Sequence, residues 1–245
     1  MKISAKQKEE NRRLIIQTAV DLIMEKGFKA TTMRAIARQA GVGDATIYNY
    51  FPTKESILFG YYEDALENAV EGLKGIQDFN RFNLREQLQA LFEALLEIYL
   101  PDREFVAESF GPVFMALIPG NQSLLAIKKR FTHIVDDMFQ AAVEVGEISD
   151  QVFKELTYHV LWDFYVGTVL YWVRDDSPGF TNTTVFLDKS LALGYSLLKA
   201  EAVNRLVDVG SFLFRTHILS RMDLIRSQLD TLDRIKREFM SHEGK

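Results

Sequence analysis

The stretch from Thr31 to Lys54 limits what this chain can become more than any other. It reads as two short helices joined by a tight turn. Thr31 or Thr32 is placed to cap the first, because a hydroxyl there accepts one of the unpaired N–H groups of an opening turn. Ile36, Ala37 and Ala40 give that helix an apolar side. Gly41 ends it, as glycine does where the chain must enter a left-handed conformation, and Val42 plugs the corner. A second helix starts near Asp44, whose charge suits the positive end of a helix dipole. Ile47 and Phe51 face inward, which leaves Asp44, Ala45, Thr46, Tyr48, Asn49 and Tyr50 outside or partly so. Pro52 stops this helix and Thr53 opens the next.

Two helices around a glycine corner form a helix-turn-helix, and the second is short enough to lie in a DNA major groove. Its outward face carries small residues that allow close approach, with hydroxyls and an amide for base edges and phosphates. An ordinary helical hairpin in an all-α protein fits the same spacing.

From about Gln7 to Leu58, a fifth of the chain, the sequence resembles the N-terminal domain of the TetR family of bacterial transcriptional regulators. The resemblance rests on Gly27-Phe28, Thr31-Thr32, Ile36-Ala37, Ala40-Gly41-Val42, Thr46-Ile47-Tyr48-Asn49-Tyr50-Phe51 and Lys54-Glu55, in that order. It implies an all-α homodimer with a DNA-binding head over residues 1–53. A larger ligand-binding and dimerisation domain follows over 54–245, and its first helix, 54–78, is the link. Such a protein is a ligand-responsive regulator, a repressor or its rival an activator, on a pseudo-palindromic, double-stranded operator, since two heads related by a two-fold axis read two half-sites. By resemblance, Thr32, Tyr48, Tyr50 and Lys54 hold phosphates. Asp44, Ala45, Thr46 and Asn49 are the candidates for base edges; Asn49 can pair adenine and Asp44 can accept from cytosine. Arg34 and Gly43 complete the DNA-binding set. Many family members carry Ser-Lys-Gly or Ser-Arg-Gly where this chain has Gly43-Asp44-Ala45, so family-wide base preferences do not transfer.

Charge supports a nucleic-acid partner only through its distribution. The net charge is −5, but residues 1–60 carry +4 and the remainder −9. A basic end on an acidic body suits a protein whose one end meets phosphate. Lys6, Lys8, Arg12 and Arg13, near the start of a first helix from Gln7 to Lys26, are further phosphate candidates or a solvated face. Leu14, Ile15, Ala19, Leu22 and Ile23 give this helix its inner stripe. The absence of cysteine excludes disulfides and thiolate metal sites and suits a reducing cytoplasm. The start of the chain lacks the apolar core of a signal peptide. The run from Val160 to Val173 is too short to span a bilayer, so no membrane role is expected.

Beyond Asp78 no strand pattern appears. Helical segments are expected over Leu84–Leu100, Arg103–Leu117 (with Gly111-Pro112 inside), Asn121–Val145, Asp150–Asp176, Thr181–Glu201 and Ala202–Phe239, the last with a break near Gly210. This body is rich in aromatics. Among them Phe110, Phe114, Phe131, Trp162 and Tyr165, with His133 and His159 as polar partners, are candidates to line an effector cavity; rings on helices also simply fill cores. An apolar or amphipathic small molecule fits such walls. No cofactor is implied, and Glu155 with His159 lacks the second carboxylate–histidine pair that a di-metal site needs.

The segments from Asp150 to Glu201 carry more apolar residues than one buried face requires, which points to a subunit interface. Ile218, Met222, Ile225, Leu229, Leu232, Ile235 and Phe239 form a further apolar stripe at helical spacing. The rival from another class is an α-helical enzyme or ligand carrier with a vestigial helix-turn-helix. No nucleophile elbow, phosphate loop or zinc-protease motif supports an enzyme.

Overall fold

The computed structural model describes residues 4–115, 122–151, 154–200, 202–214 and 216. Among the described residues the regular structure is helical. The α-helices are α1 (Ala5–Lys26), α2 (Met33–Gln39), α3 (Asp44–Tyr50), α4 (Lys54–Lys74), α5 (Leu84–Tyr99), α6 (Arg103–Phe114), α7 (Gln122–Glu144), α8 (Lys154–Trp172), α9 (Thr181–Lys199) and α10 (Ala202–Leu213). The chain falls into two compact units, Met1–Glu147 with Lys154–Ser196, and Ile148–Phe153 with Leu197–Lys245. No described helix is long and apolar enough to cross a membrane.

In the first unit, α1 begins two residues earlier than its pattern predicts, because the Ser4 hydroxyl accepts from the Gln7 N–H at 3.1 Å. It buries Ile15, Ile16, Ala19, Val20, Leu22 and Ile23 against α2 and α4. Leu14, expected on that stripe, is 49% exposed: it stands about 100° round the helix from Ile15. The helix closes at Gly27, whose φ of 80° is a conformation that a side chain resists.

Helix α4 opens with a capping box, in which the side chains of Thr53 and Ser56 each accept from the other's backbone N–H. Its buried residues include Ile57, Leu58, Tyr61, Tyr62, Leu66 and Ala69, and they meet α1, α5, α6 and α7. Apolar burial on several sides makes α4 the axis of this unit. Gly60 lets it approach α3: a Cβ there would lie 2.8 Å from Cε1 of Phe51. The helix ends at Lys74, four residues short of the expected Asp78.

A second capping box, Asn83 with Glu86, opens α5. Helix α6 continues through Pro112 and closes at Phe114, so the expected end at Leu117 and the stop at Pro119-Gly120 lie outside the described residues. Helix α7 stops before Gly146, whose φ is 71°.

The turn from α8 to α9 is held by two side chains. The guanidinium of Arg103 donates to the carbonyls of Trp172, Val173 and Asp175 at 3.0–3.3 Å. Its plane lies 5.0 Å from the ring centroid of Phe180. These bonds satisfy carbonyls that a helix C-terminus leaves without partners. Asp175 accepts from the hydroxyl and N–H of Ser177 through one oxygen and from those of Thr183 through the other, at 2.6–3.0 Å.

In the second unit, α10 passes through Gly210 without the expected break. The Asn204 amide donates to the Asp150 carbonyl at 3.1 Å. The stripe from Ile218 to Phe239 lies outside the described residues, as do Phe153, His217 and His242.

The bonds from Ser177 and then Thr183 hold the Asp175 carboxyl well below the usual carboxylate range. The folded state therefore binds this proton less tightly than the unfolded chain does. The stabilisation is complete above the unfolded value of about 3.9 and is lost as pH falls below it. Asp175→Ala is expected to lower Tm at pH 7 and to flatten the acid side of the Tm–pH curve, read by circular dichroism between pH 3 and pH 7.

Candidate nucleic-acid interface

The corner between α2 and α3 is built as its residues require. Thr32, not Thr31, caps α2: its hydroxyl accepts from the Ala35 N–H at 3.2 Å. Thr31 is buried and donates to the carbonyls of Leu22 and Gly27. Gly41 turns the chain with a φ of 68°, and the Val42 N–H reaches back to the Ala37 carbonyl at 2.9 Å. Gly43 precedes α3 and offers no side-chain cap. Ile36, Ala37 and Ile47 have no solvent exposure, and Phe51 is buried. Packing through those four fixes α3 on α1, α2 and α4.

What remains of α3 faces out. Asp44, Ala45, Tyr48 and Asn49 are exposed, Tyr48 by half its surface, and Thr46 and Tyr50 are half-buried. Thr32, Arg34 and Gly43 are exposed beside them. Arg34 lies 3.8 Å from Asp44 with both side chains in solvent, so the anion that replaces the family's cation is partly neutralised in place. Exposed Arg38 and Lys29 add charge that the motif reading passed over.

Three residues have structural work that sequence did not reveal. The Tyr50 hydroxyl accepts from the Asn11 amide at 3.2 Å. Arg12, read as a phosphate candidate, pairs with Asp64 and with Glu63 across to α4. The Lys54 ammonium donates to the carbonyls of Phe28 and Thr31 and sits 4.0 Å over the Phe28 ring. An ammonium has three donors, so one stays available after these two bonds.

The effector candidates separate into two groups. Phe110, Phe114, Phe131, Trp162 and Tyr165 are buried together. Phe110 stacks on Phe114 at 4.2 Å, Phe131 on Tyr165 at 5.3 Å, and Trp162 touches both pairs. Tyr62 and Tyr99, absent from the candidate set, belong to this cluster. The Tyr99 and Tyr165 hydroxyls are 2.7 Å apart. Tyr62 donates to Ser109, which itself donates to the Phe105 carbonyl. Burial, above all, pushes all three phenols up, so they stay neutral. His133 and His159 are not in the cluster. Both are exposed, one beside Asp137 and the other bonded to the Glu155 carbonyl of its own helix. His133 stands across the helix from the buried Ile134 and Val135, whereas His159 shares the exposed side of α8 with Leu156 and Val160. Among the described residues no group of histidine and carboxylate has metal-binding geometry.

Comparison with known proteins agrees with this geometry. The model for "Bacterial regulatory proteins, tetR family" matches residues 15–60, and "Tetracyclin repressor-like, C-terminal domain" matches residues 87–213. The fatty acid metabolism regulator protein of Bacillus subtilis is 26% identical over 172 residues, 70% of this chain and 88% of its own length. The HTH-type transcriptional repressor KstR2 of Mycobacterium tuberculosis is 25% identical over 71% of this chain and 86% of its own. Among solved structures, a TetR-family protein from Syntrophomonas wolfei superposes with a TM-score of 0.63 at 20% identity, covering 78% of this chain and 97% of that one. FadR from Bacillus subtilis in complex with stearoyl-CoA superposes with a TM-score of 0.56 at 26% identity, covering 76% and 97%. The exposed α3 face, the two model matches and these relatives lead to one conclusion: the chain belongs to the TetR family of bacterial regulatory proteins and is a DNA-binding transcriptional regulator.

Proposed function

We propose that this regulator is a homodimeric, ligand-responsive repressor, which binds a pseudo-palindromic operator and is released by an amphipathic effector with an apolar chain. The observation that carries the reading is the outward face of α3. Its Ala45, Tyr48 and Asn49 side chains are exposed, while Ile47 beneath them is buried. Residues 1–53 act as the DNA-reading head and 54–245 as the ligand-holding and dimerising part. Tyr48, Tyr50, Thr32, Arg34 and the remaining Lys54 donor meet phosphates. Gly43 and Ala45 allow close approach, and Asp44, Thr46 and Asn49 meet base edges. Such a protein works in the compartment that holds the DNA. The reading gives it no catalytic role.

Two features support an effector and a route from it to the head. The relative that holds stearoyl-CoA supports a long acyl chain as the apolar part, and the buried rings supply apolar walls. Tyr61 and Tyr62 of α4 join those rings. The same helix ties to α1 through Glu63 and Asp64. It also ties to α7 through Glu67, which takes two bonds from Arg130 at 2.5 and 2.9 Å. The effector binds the non-DNA arrangement better, and this differential is what releases the operator. Exposed apolar residues on α8 and α9, among them Leu156, Val160, Val185 and Leu193, support the dimer.

DNA from upstream of its own gene is the first probe, titrated at several salt concentrations by fluorescence anisotropy. Affinity is expected to fall by about a thousandfold or more between 50 and 200 mM salt. Binding without sequence preference or salt dependence overturns the repressor reading. Tyr48→Ala is expected to weaken DNA binding with Tm unchanged. Lys54→Met is expected to weaken it and also to lower stability by about 1–3 kcal/mol, because two carbonyls lose a charged donor; urea unfolding separates the two variants. Stearoyl-CoA is expected to release the operator from wild type. Phe131→Ala is expected to need a higher concentration for the same release.

A further inference from the structure

Among the described residues nothing covers a broad apolar stripe on α8 and α9. On α8 it holds Leu156, Val160 and Tyr171, and on α9 Val185, Phe186 and Leu193, all exposed. Each stripe also carries one charge near its centre, Asp163 on α8 and Lys189 on α9, both exposed. Neither joins an ion pair or side-chain hydrogen bond with a described residue. Charges inside an apolar contact surface are costly unless each meets an opposite charge.

The helical positions say where that opposite charge is. Phe164 and Tyr171 turn toward the chain's own α9, with rings 5.7 and 5.3 Å from Phe186. Asp163 stands about 100° round α8 from Phe164, on the flank of the stripe away from α9. Lys189 stands about 60° round α9 from Phe186, on the flank away from α8. The two charges thus lie level along the helices yet point outward from their shared seam. Asp163 is the middle residue of α8 and Lys189 is next to the middle of α9. A two-fold axis that lies in this face and runs along the helices lays the partner's α9 over α8 with middle on middle, so Asp163 meets the partner's Lys189; an axis across the helices would set like charge on like, which is costly. Arg174 lies two residues past the end of α8 and bonds to the Leu170 carbonyl.

We propose that this face docks on a second copy of the same chain in a register fixed by two reciprocal ion pairs, Asp163 of each subunit with Lys189 of the other. The occupant is self because the stripe supplies both halves of the complementarity. The pair acts as a specificity device: another chain of this fold with apolar or like-charged residues at these positions buries a charge unpaired and is rejected. The inference rests on the dimer reading above, and the test keeps the two apart.

The test uses full-length protein, Asp163→Lys, Lys189→Glu and the double swap, with one variant bearing a mass tag, followed by sedimentation and native mass spectrometry. Wild type is expected to dimerise. Each single reversal raises the dimer dissociation constant by about tenfold or more. An equimolar mixture of the two single variants forms a heterodimer comparable to wild type, because one cross-subunit pair is then as in wild type and the other is restored with exchanged sign. The double swap restores the homodimer. A monomeric wild type overturns the dimer reading itself. A dimeric wild type with unaffected single variants overturns only the ion-pair proposal. So does rescue by the double swap but not by the mixture, which places the pair within one subunit. Circular dichroism checks folding. Should a reversal unfold the chain, the neutral variants Asp163→Asn and Lys189→Gln run the same cycle, and additive effects overturn the proposal.

Discussion

The ammonium of Lys54 holds the head together. It is the first residue of α4, yet it binds carbonyls from the connection between α1 and α2 and lies on the ring of Phe28. That connection turns at Gly27 and sets where α2 begins, and α2 sets where the corner at Gly41 falls. Arg12 and Asn11 add two more ties, one to α4 and one to Tyr50 at the end of α3. Helices α2 and α3, each too brief to persist alone, thus become one body with α1 and the first turns of α4. Apart from Tyr50, the outward face of α3 contributes little to this. Its polar residues are free to be chosen for a ligand because Ile36, Ala37, Ile47 and Phe51 carry the packing.

The aromatic body follows a different logic. Rings from α4, α5, α6, α7 and α8 meet at 4.2–6.4 Å, and interiors at native density leave little free space. The phenols inside satisfy one another, Tyr99 with Tyr165 and Tyr62 with Ser109, because an unpaired buried hydroxyl is expensive. On the proposed reading an acyl chain that displaces these rings moves Tyr62, and hence α4.

Sequence made some of this legible for identifiable reasons. The helix-turn-helix was readable because its signals are local: a hydroxyl cap, a glycine at positive φ, a proline stop and apolar residues at helical spacing. Most helix boundaries fell near their markers for the same reason. The roles of Lys54, Arg12 and Asn11 were not readable, since each depends on a partner 23 to 52 residues away. The histidines misled for a related reason. His133 and His159 lie among apolar residues in the chain, but one helical turn holds both a buried and an exposed side, and composition cannot say which. Thr31 and Thr32 were interchangeable as caps until the buried carbonyl of Leu22 claimed Thr31.

The strengths of these ties decide how movement passes through the molecule. Glu67 and Arg130 join α4 to α7 through partly exposed side chains, and such pairs contribute about 0–1 kcal/mol, even though the arginine holds the Glu67 carboxyl below its usual range. The Lys54 bonds to two carbonyls are charge-assisted and partly buried, worth about 1–3 kcal/mol, and Ile47 and Phe51 beneath α3 add about 1.5–3 kcal/mol each. Coupling between distant sites typically amounts to about 1–3 kcal/mol. A strain of that size exceeds the Glu67–Arg130 pair, though not the packing that α4 and α7 also share, and it falls short of the sum of the ties within the head. On the proposed reading it reaches the DNA end as a displacement of the whole head with α3 undistorted. Reading and release are separable on that reading because the stiff contacts surround the DNA-facing helix.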